Sequence, residues 1–412
     1  MMRLLRIIYL CTLILPCLCL SALAESRAIS EQWLIELKQE ALTKGISAKT
    51  IDNALANVSF NPKIIALDNK QAEFTYTIWD YLSRMVTDAR LNHARQMLKK
   101  HRKILSKIEK EYGVPKEYIL SFWGMESNFG VNFGGFNVIE ALVTLAYDSR
   151  RPELFRKELL VALKILDEGH ISLSDMKGSW AGAMGNFQFL PSTYMSYAVD
   201  YDNDGHKDIW GSLPDAFASA ANYLKKIGWQ NDQRWGREVT LPKNLSWLKL
   251  TSRPTRTPPE WGKAGINPTY NKKFIGGENI NATIIFPGGH NGPIFLTYPN
   301  FQTIKKWNNS VFYAIAIGHF ADRITGEPKL ATKPVKLYNP DKEQIKEFQT
   351  LLIELGYLTG KADGISGKAT REAIAKAQRN YGLPIDSYPS QKLLNNMRRD
   401  VQQISGVGKA EI

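Results

Sequence analysis

Residues 114–130 read VPKEYILSFWGMESNFG, and residues 179–192 read SWAGAMGNFQFLPS. In the first stretch Gly113-Val114-Pro115 ends one helical run and starts another, with Pro115 at a first-turn position that suits its fixed φ and missing N–H. At helical spacing Tyr118, Ile119, Phe122, Trp123 and Glu126 share one face, so Glu126 stands at the end of an apolar stripe. A carboxyl group removed from water holds its proton more tightly, which suits a general acid near neutral pH. The same residues also describe a glutamate at a helix end, turned to solvent or capping the next segment, and this stretch alone favours that plainer reading. In the second stretch, small residues and glycines let the backbone come close to a ligand. Gln188 offers a donor and an acceptor there, while Met184, Phe187 and Phe189 offer apolar contact. Sugars suit this mixture, having apolar ring faces and polar edges; a glycine-rich turn packed on a core has the same composition.

Outward from these motifs the pattern is mainly helical. Ser30 to Phe60 reads as two short helices, with Ser30 able to cap the first and Trp33, Leu34 and Leu37 on one face. Phe74 to Leu120 interleaves basic and apolar residues at helical period. From Trp235 to Asn300 proline, glycine and asparagine become frequent, and β-prone runs appear at Thr283–Phe286 and Ile294–Thr297, which predicts a small strand-rich insertion. Ser310 to Ile324 is again apolar and helical. Residues 327–340, with Pro328, Pro334 and Pro340, read as an interdomain linker. A last unit of helices and glycine turns follows, with Ile345, Phe348, Leu352 and Leu355 in one stripe and a turn at Asp363–Thr370.

The N-terminus reads as a secretory signal over residues 1–24. Arg3 and Arg6 precede a short apolar run, Ile7–Leu20, and Ala22-Leu23-Ala24 offers small residues for cleavage. The run is too short to span a bilayer, and nothing later is long and apolar enough. All three cysteines, Cys11, Cys17 and Cys19, lie in this segment. A mature chain without them has no disulfide, thiol nucleophile or cysteine-held metal, and depends on its hydrophobic core. Pro16 before Cys17 and Leu18 before Cys19 argue against lipidation. The formal charge is +13, or +11 without Arg3 and Arg6. An exported basic protein suits an anionic polymer or membrane surface, a generally basic surface fits equally, and nucleic acid is a poor partner outside the cytoplasm.

Gly124–Gly130 followed by Ser179–Ser192 resembles the B-type lytic murein transglycosylases. The resemblance continues in order through Ala198-Val199-Asp200, Ala221-Asn222-Tyr223, Leu296–Phe301 and Asn308-Asn309-Ser310. It implies a lysozyme-like helical catalytic core within 25–326, an α+β class overall, and a groove for peptidoglycan glycan strands. It implies that Glu126 cuts the bond from N-acetylmuramic acid to N-acetylglucosamine. Glu126 would first protonate the glycosidic oxygen, then take the proton of the muramoyl C6 hydroxyl as that oxygen closes on C1 and leaves a 1,6-anhydro end. Ordinary glycosidases need a second carboxylate; here the nucleophile belongs to the substrate. By position, Tyr81, Ser179, Met184, Gln188, Tyr223, Asn308 and Tyr313 match groove residues. Trp307 stands where tyrosine is common, keeping an aromatic platform without the hydroxyl. The family's usual hosts imply the periplasm, and other cell-wall enzymes as partners.

Asp200-Tyr201-Asp202-Asn203-Asp204-Gly205-His206 begins like an EF-hand loop, with carboxylates at positions one, three and five, glycine at six and the His206 carbonyl at seven. Position twelve is Gly211, so Asp215 is the candidate closing ligand for a stabilising Ca²⁺; a solvated acidic turn is the alternative. Residues 341–400 resemble the three-helix peptidoglycan-binding domain, with Ala377 where phenylalanine is common and Ser387 where glycine is common. A helical spacer or docking unit remains open for this module. Two rivals stand beside the transglycosylase reading: a hydrolytic muramidase, which would release reducing ends, and a non-catalytic wall-binding protein. A zinc amidase is disfavoured, because the six histidines lack helical metal-ligand spacing.

Overall fold

The computed structural model describes residues 28–69, 76–148, 151–272, 274 and 280–407; the signal expected over 1–24 lies outside them. Buried apolar side chains gather in three clusters: a large helical one, one inside the insertion and one in the C-terminal module. The class is therefore helix-rich with small sheets, as expected.

The helix Lys116–Ser127 runs through the large cluster. Tyr118 to Gly124 and Ser127 are all buried, so it is covered on every side rather than along one stripe. The helices Asp88–Lys100 and Val311–Ile324 pack on it, and Ser121 Oγ donates to the Ile317 carbonyl at 2.7 Å. Pro115 is extended and sits one residue ahead of the helix, which starts at Lys116. The run from Phe74 divides at Thr77 and Thr87, whose hydroxyls cap Ile78–Met85 and Asp88–Lys100 by accepting from Asp80 N and Arg90 N; Phe74 itself lies outside the described residues. Ser30 precedes the helix Glu31–Thr43, but its hydroxyl makes no capping bond.

The insertion is a five-stranded antiparallel sheet in the order Thr255–Arg256, Ala282–Ile285, Phe295–Thr297, Gly236–Thr240, Asn267–Pro268. Ile284 pairs with Leu296, and Leu296 with Arg237. Val239, Leu250, Trp261 and Leu296 form its core. The buried Trp261 indole meets the Ala282 carbonyl at 2.8 Å.

The C-terminal helices Lys342–Glu354, Lys368–Asn380 and Gln391–Val407 close around Phe348, Leu352, Ile374 and Leu393. Ala377 is fully buried, and Ser387 has φ +60°, the left-handed region that explains the usual glycine. The buried Asp386 accepts from Gln378 Nε2 at 2.7 Å and from His290 N, on the insertion, at 2.9 Å. Residues 327–340 have neither helix nor strand, yet they are pinned rather than free. Glu238 accepts from Ala331 N at 2.6 Å and Thr332 N at 2.8 Å, Tyr270 Oη donates to the Lys329 carbonyl, and Leu337 is buried.

Candidate active site

Glu126 lies one residue before the end of its helix. Asn128 (φ +50°), Phe129 (φ +61°) and Gly130 (φ +80°) then follow in left-handed backbone, folding the chain back over the helix. The reversal depends on close approaches. A Cβ at Gly124 would lie 2.7 Å from the Phe129 ring, and one at Gly130 would lie 2.8 Å from Asn186 Oδ1. Ser127 Oγ ties the turn by accepting from Gly130 N at 2.9 Å. Two consecutive non-glycine residues in this region cost about 1–3 kcal/mol each and persist only where surroundings enforce them.

Asn186 does the enforcing. Its buried amide accepts from Trp123 Nε1 at 2.7 Å and donates to the carbonyls of Ile209 at 3.0 Å and Trp210 at 2.9 Å. One side chain thus joins the Glu126 helix, the 179–192 loop and the end of the acidic loop. The 179–192 loop is itself tied by reciprocal backbone bonds between Met184 and Phe189, at 2.8 and 2.9 Å.

Opposite Glu126, the helix Pro299–Trp307 ends at Asn308, and Ser310 Oγ caps Val311–Ile324 by accepting from Tyr313 N. This places Trp307 and Tyr313 on the two helix ends that face the acid. Both donate to the same carboxylate oxygen, Glu126 Oε1: the Trp307 indole N–H at 3.0 Å and the Tyr313 hydroxyl in a short bond. Trp307 thus offers a donor from its ring nitrogen where a tyrosine would offer its hydroxyl. Trp307 also packs its ring on Phe122 (4.4 Å between centroids), Tyr223 (4.9 Å) and Phe189 (5.5 Å), and Tyr223 stacks on Tyr197 at 4.5 Å. The result is a part-buried aromatic ledge next to a carboxylate, the surface a sugar face stacks on. Burial holds the Tyr223 phenol above its usual range, so it remains a neutral donor.

The other expected groove residues divide. Tyr81 is buried, with its ring 5.9 Å from Phe312. Ser179 Oγ accepts from the amides of Ala181 and Ala183 at 3.3 and 3.1 Å, shaping its own loop. Gln188 takes φ +51° and donates through Nε2 to the carbonyls of Phe133 and Gly185, both at 3.0 Å. Asn308 is half-buried beside Trp307. Met184 has no exposed surface, and its side chain supports the loop from inside. Asn186 and Ser310 were not anticipated as site residues. A buried amide beside Gly185 and a serine directly before an apolar helix are the signals that pointed to them.

In the acidic loop Asp200, Asp202 and Asp204 bring their carboxylates within 4.8 Å of one another. Three oxygen donors so close fit a hard cation such as Ca²⁺. Asp200 accepts from the amides of Asp204 and Gly205, which sets the turn. The Asp215 carboxylate stands outside the cluster. Asp215 has no exposed surface, and its two oxygens already accept from Tyr201 N at 2.7 Å, Asp202 N at 3.3 Å and Asp208 N at 2.9 Å. Through these bonds it organises the loop. Burial raises its carboxyl above the ordinary range even so. His206 is exposed, and its amide donates to Asp204 Oδ1.

Residues 29–322 match the family model described as the transglycosylase SLT domain, and residues 341–397 match that of a peptidoglycan binding domain. The membrane-bound lytic murein transglycosylase B of Escherichia coli K12 is 31% identical over 243 residues. That alignment covers 58% of this chain and 64% of the relative, so the chain spans somewhat less than two thirds of the curated protein's length. SltB3 from Pseudomonas aeruginosa, solved in complex with NAG-NAM-pentapeptide, superposes with a TM-score of 0.84 at 41% identity, covering 89% of this chain and 99% of that one. The Escherichia coli lytic transglycosylase Slt35, solved in complex with calcium, superposes with a TM-score of 0.61 at 26% identity, covering 71% and 92%.

Proposed function

The chain belongs to the transglycosylase SLT family, and from that premise we propose that it is a lytic transglycosylase of peptidoglycan with Glu126 as its acid and base. The observation that carries this reading is the convergence of Trp307 Nε1 and Tyr313 Oη on Glu126 Oε1 beside the aromatic ledge. Two neutral donors on one oxygen fix the carboxyl plane and stabilise the carboxylate that forms when the proton is given up.

The protonated Glu126 gives its proton to the oxygen between N-acetylmuramic acid and N-acetylglucosamine. The C1–O bond breaks, the N-acetylglucosamine end leaves as an alcohol, and positive charge develops at C1 and the ring oxygen. The Glu126 carboxylate then takes the proton of the muramoyl C6 hydroxyl while O6 bonds to C1. The acid is regenerated, no water is consumed and the product carries a 1,6-anhydro end. The nucleophile comes from the sugar, so the second carboxylate of ordinary glycosidases is not required. Tyr223 and Trp307 would stack on sugar faces, with Asn308, Gln188, Ser179 and Tyr81 along the groove.

The helical module expected over 341–400 would hold the enzyme on the wall, and 327–340 would join it to the catalytic part at 25–326. Ca²⁺ held by Asp200, Asp202 and Asp204 would neutralise three crowded carboxylates and stiffen the loop that Asn186 contacts through Ile209 and Trp210. Among the described residues no helix is long and apolar enough to cross a membrane. Together with the signal expected over 1–24, this suits the periplasm, where other cell-wall enzymes are the natural partners. Mass spectrometry of products from purified peptidoglycan tests the central reading. Wild type should yield 1,6-anhydromuramoyl ends and Glu126→Gln none. Reducing ends would make the protein a hydrolase, and binding without cleavage by both would make it a wall-binding protein.

A further inference from the structure

Beneath the pinned strap, away from Glu126, a small, partly open cavity of about 50 Å³ lies between the insertion and the helix Val311–Ile324. Its lining includes Arg234, Arg237, Glu238, Lys272, Asp322 and Glu327. Each acidic group there is engaged. Asp322 accepts from Arg234 Nη2 at 2.6 Å and Trp235 Nε1 at 2.9 Å. Glu327 accepts from Lys272 and from Arg234 Nη1. Glu238 accepts from Ala331 N, Thr332 N and the Thr269 hydroxyl.

The donors are not matched in the same way. Among the described residues the side chain of Arg237, 9% exposed, makes no hydrogen bond or ion pair, and its Nε meets no acceptor; Arg234 Nε and the buried Tyr298 hydroxyl meet none either. A buried guanidinium N–H without an acceptor is costly, because it has lost its water without gaining a partner. Burial, then the neighbouring Arg234, pull the Arg237 guanidinium below its usual range against the opposing pull of Tyr298 and Asp322; burial, then Arg237 and Arg234, do the same to the Lys272 ammonium against Asp322.

We infer that this cavity is a binding site for one small anion, of the size of a halide or a single carboxylate group, held by Arg237 Nε and Arg234 Nε. A water occupies about 30 Å³ of liquid, so the space suits an ion of that class and excludes a sugar ring. The anion supplies acceptors to both guanidinium groups. It thereby locks the sheet, the strap and the helix that carries Tyr313 into one unit. Its binding is independent of peptidoglycan cleavage.

Two measurements on the full chain test this. In crystals of wild type soaked in sodium bromide, an anomalous peak is expected in the cavity within hydrogen-bonding distance of Arg237 Nε. Thermal melts at matched ionic strength should show Tm rising and saturating with chloride or acetate relative to gluconate, which is too large to enter; a shift of about 2–8 °C is the scale for binding of this kind. A response to chloride alone identifies a halide site, and a response to acetate a carboxylate site. Arg237→Met should abolish the anion-dependent shift. Only water at Arg237 in the bromide crystal, or equal Tm responses in wild type and Arg237→Met, would overturn the assignment. The crystal decides the matter if Arg237→Met does not fold.

Discussion

Replacing Trp307 with phenylalanine removes one atom that matters and keeps most of a ring. The indole N–H to Glu126 Oε1, at 3.0 Å, is lost, while a six-membered ring remains against Phe122 and Tyr223. A hydrogen bond to a charged group contributes about 1.5–3 kcal/mol. In the proposed mechanism Glu126 is neutral before proton transfer and charged after it, so the bond strengthens along the reaction and its loss falls on the barrier. At about 1.4 kcal/mol per factor of ten, kcat should fall roughly 10- to 150-fold with KM little changed. Quantifying 1,6-anhydro products from soluble glycan strands over time, at several strand concentrations, measures both constants. Trp307→Tyr restores a donor and should recover most of the rate. A Trp307→Phe enzyme with the wild-type kcat would refute the reasoning. So would a Trp307→Tyr enzyme as slow as Trp307→Phe, which would place the effect in ring volume instead of the donor.

Asn186→Ala should destabilise the protein by about 2–4 kcal/mol, because it leaves the Trp123 indole and two carbonyls without their partner inside the core; urea melts followed by tryptophan fluorescence would show it. Gly130→Ala should cost at least about 1 kcal/mol, since φ is +80° and the new methyl meets Asn186 Oδ1, and its Tm should fall together with activity. Ca²⁺ should raise the Tm of wild type, EGTA should reverse this, and Asp202→Ala should show neither effect; an identical response in the variant would remove calcium from the Asp200 loop. His319 is buried, and desolvation, helped by Arg323, lowers its imidazole to about 4. The unfolded chain then binds more protons than the folded one between that value and about 6.5. Stability contributed by neutral His319 is full above about pH 6.5 and is lost as pH falls toward 4, by roughly 3 kcal/mol. His319→Gln should flatten that part of the stability–pH curve, and an unchanged slope would show that other groups govern it.

Local pattern made much of this architecture legible. The β-prone runs at Thr283–Phe286 and Ile294–Thr297 correspond to two neighbouring strands, and the stripe through Tyr118, Ile119 and Phe122 to the central helix. What periodicity could not reveal is burial on all sides of that helix, which depends on partners such as Ile317, 196 positions away. The convergence on Glu126 has the same character. Tyr313 lies 187 residues from the acid and Trp307 181, and no local rule links them. Only collinearity with a known family brought them into view. Asp215 shows the converse limit. Its spacing suits a closing ligand, but spacing carries no information on which backbone amides a buried carboxylate already serves. Met184 shows a similar limit: a loop residue can point into the core, as this one does, and composition does not say which way it faces.

The pinned strap sets the reach of the molecule. A free chain of about fourteen residues would let its two ends wander over some 20 Å, so a module on its far side would hold the wall at a broad spread of distances from the cut. With Glu238 clamping Ala331 and Thr332, and Asp386 bonded to His290, that spread collapses toward a single span. A molecule built this way behaves as a caliper. In the proposed function, where the wall is gripped would then determine which bond lies at Glu126, and the spacing between grip and cut would become a property of the fold instead of a statistical average.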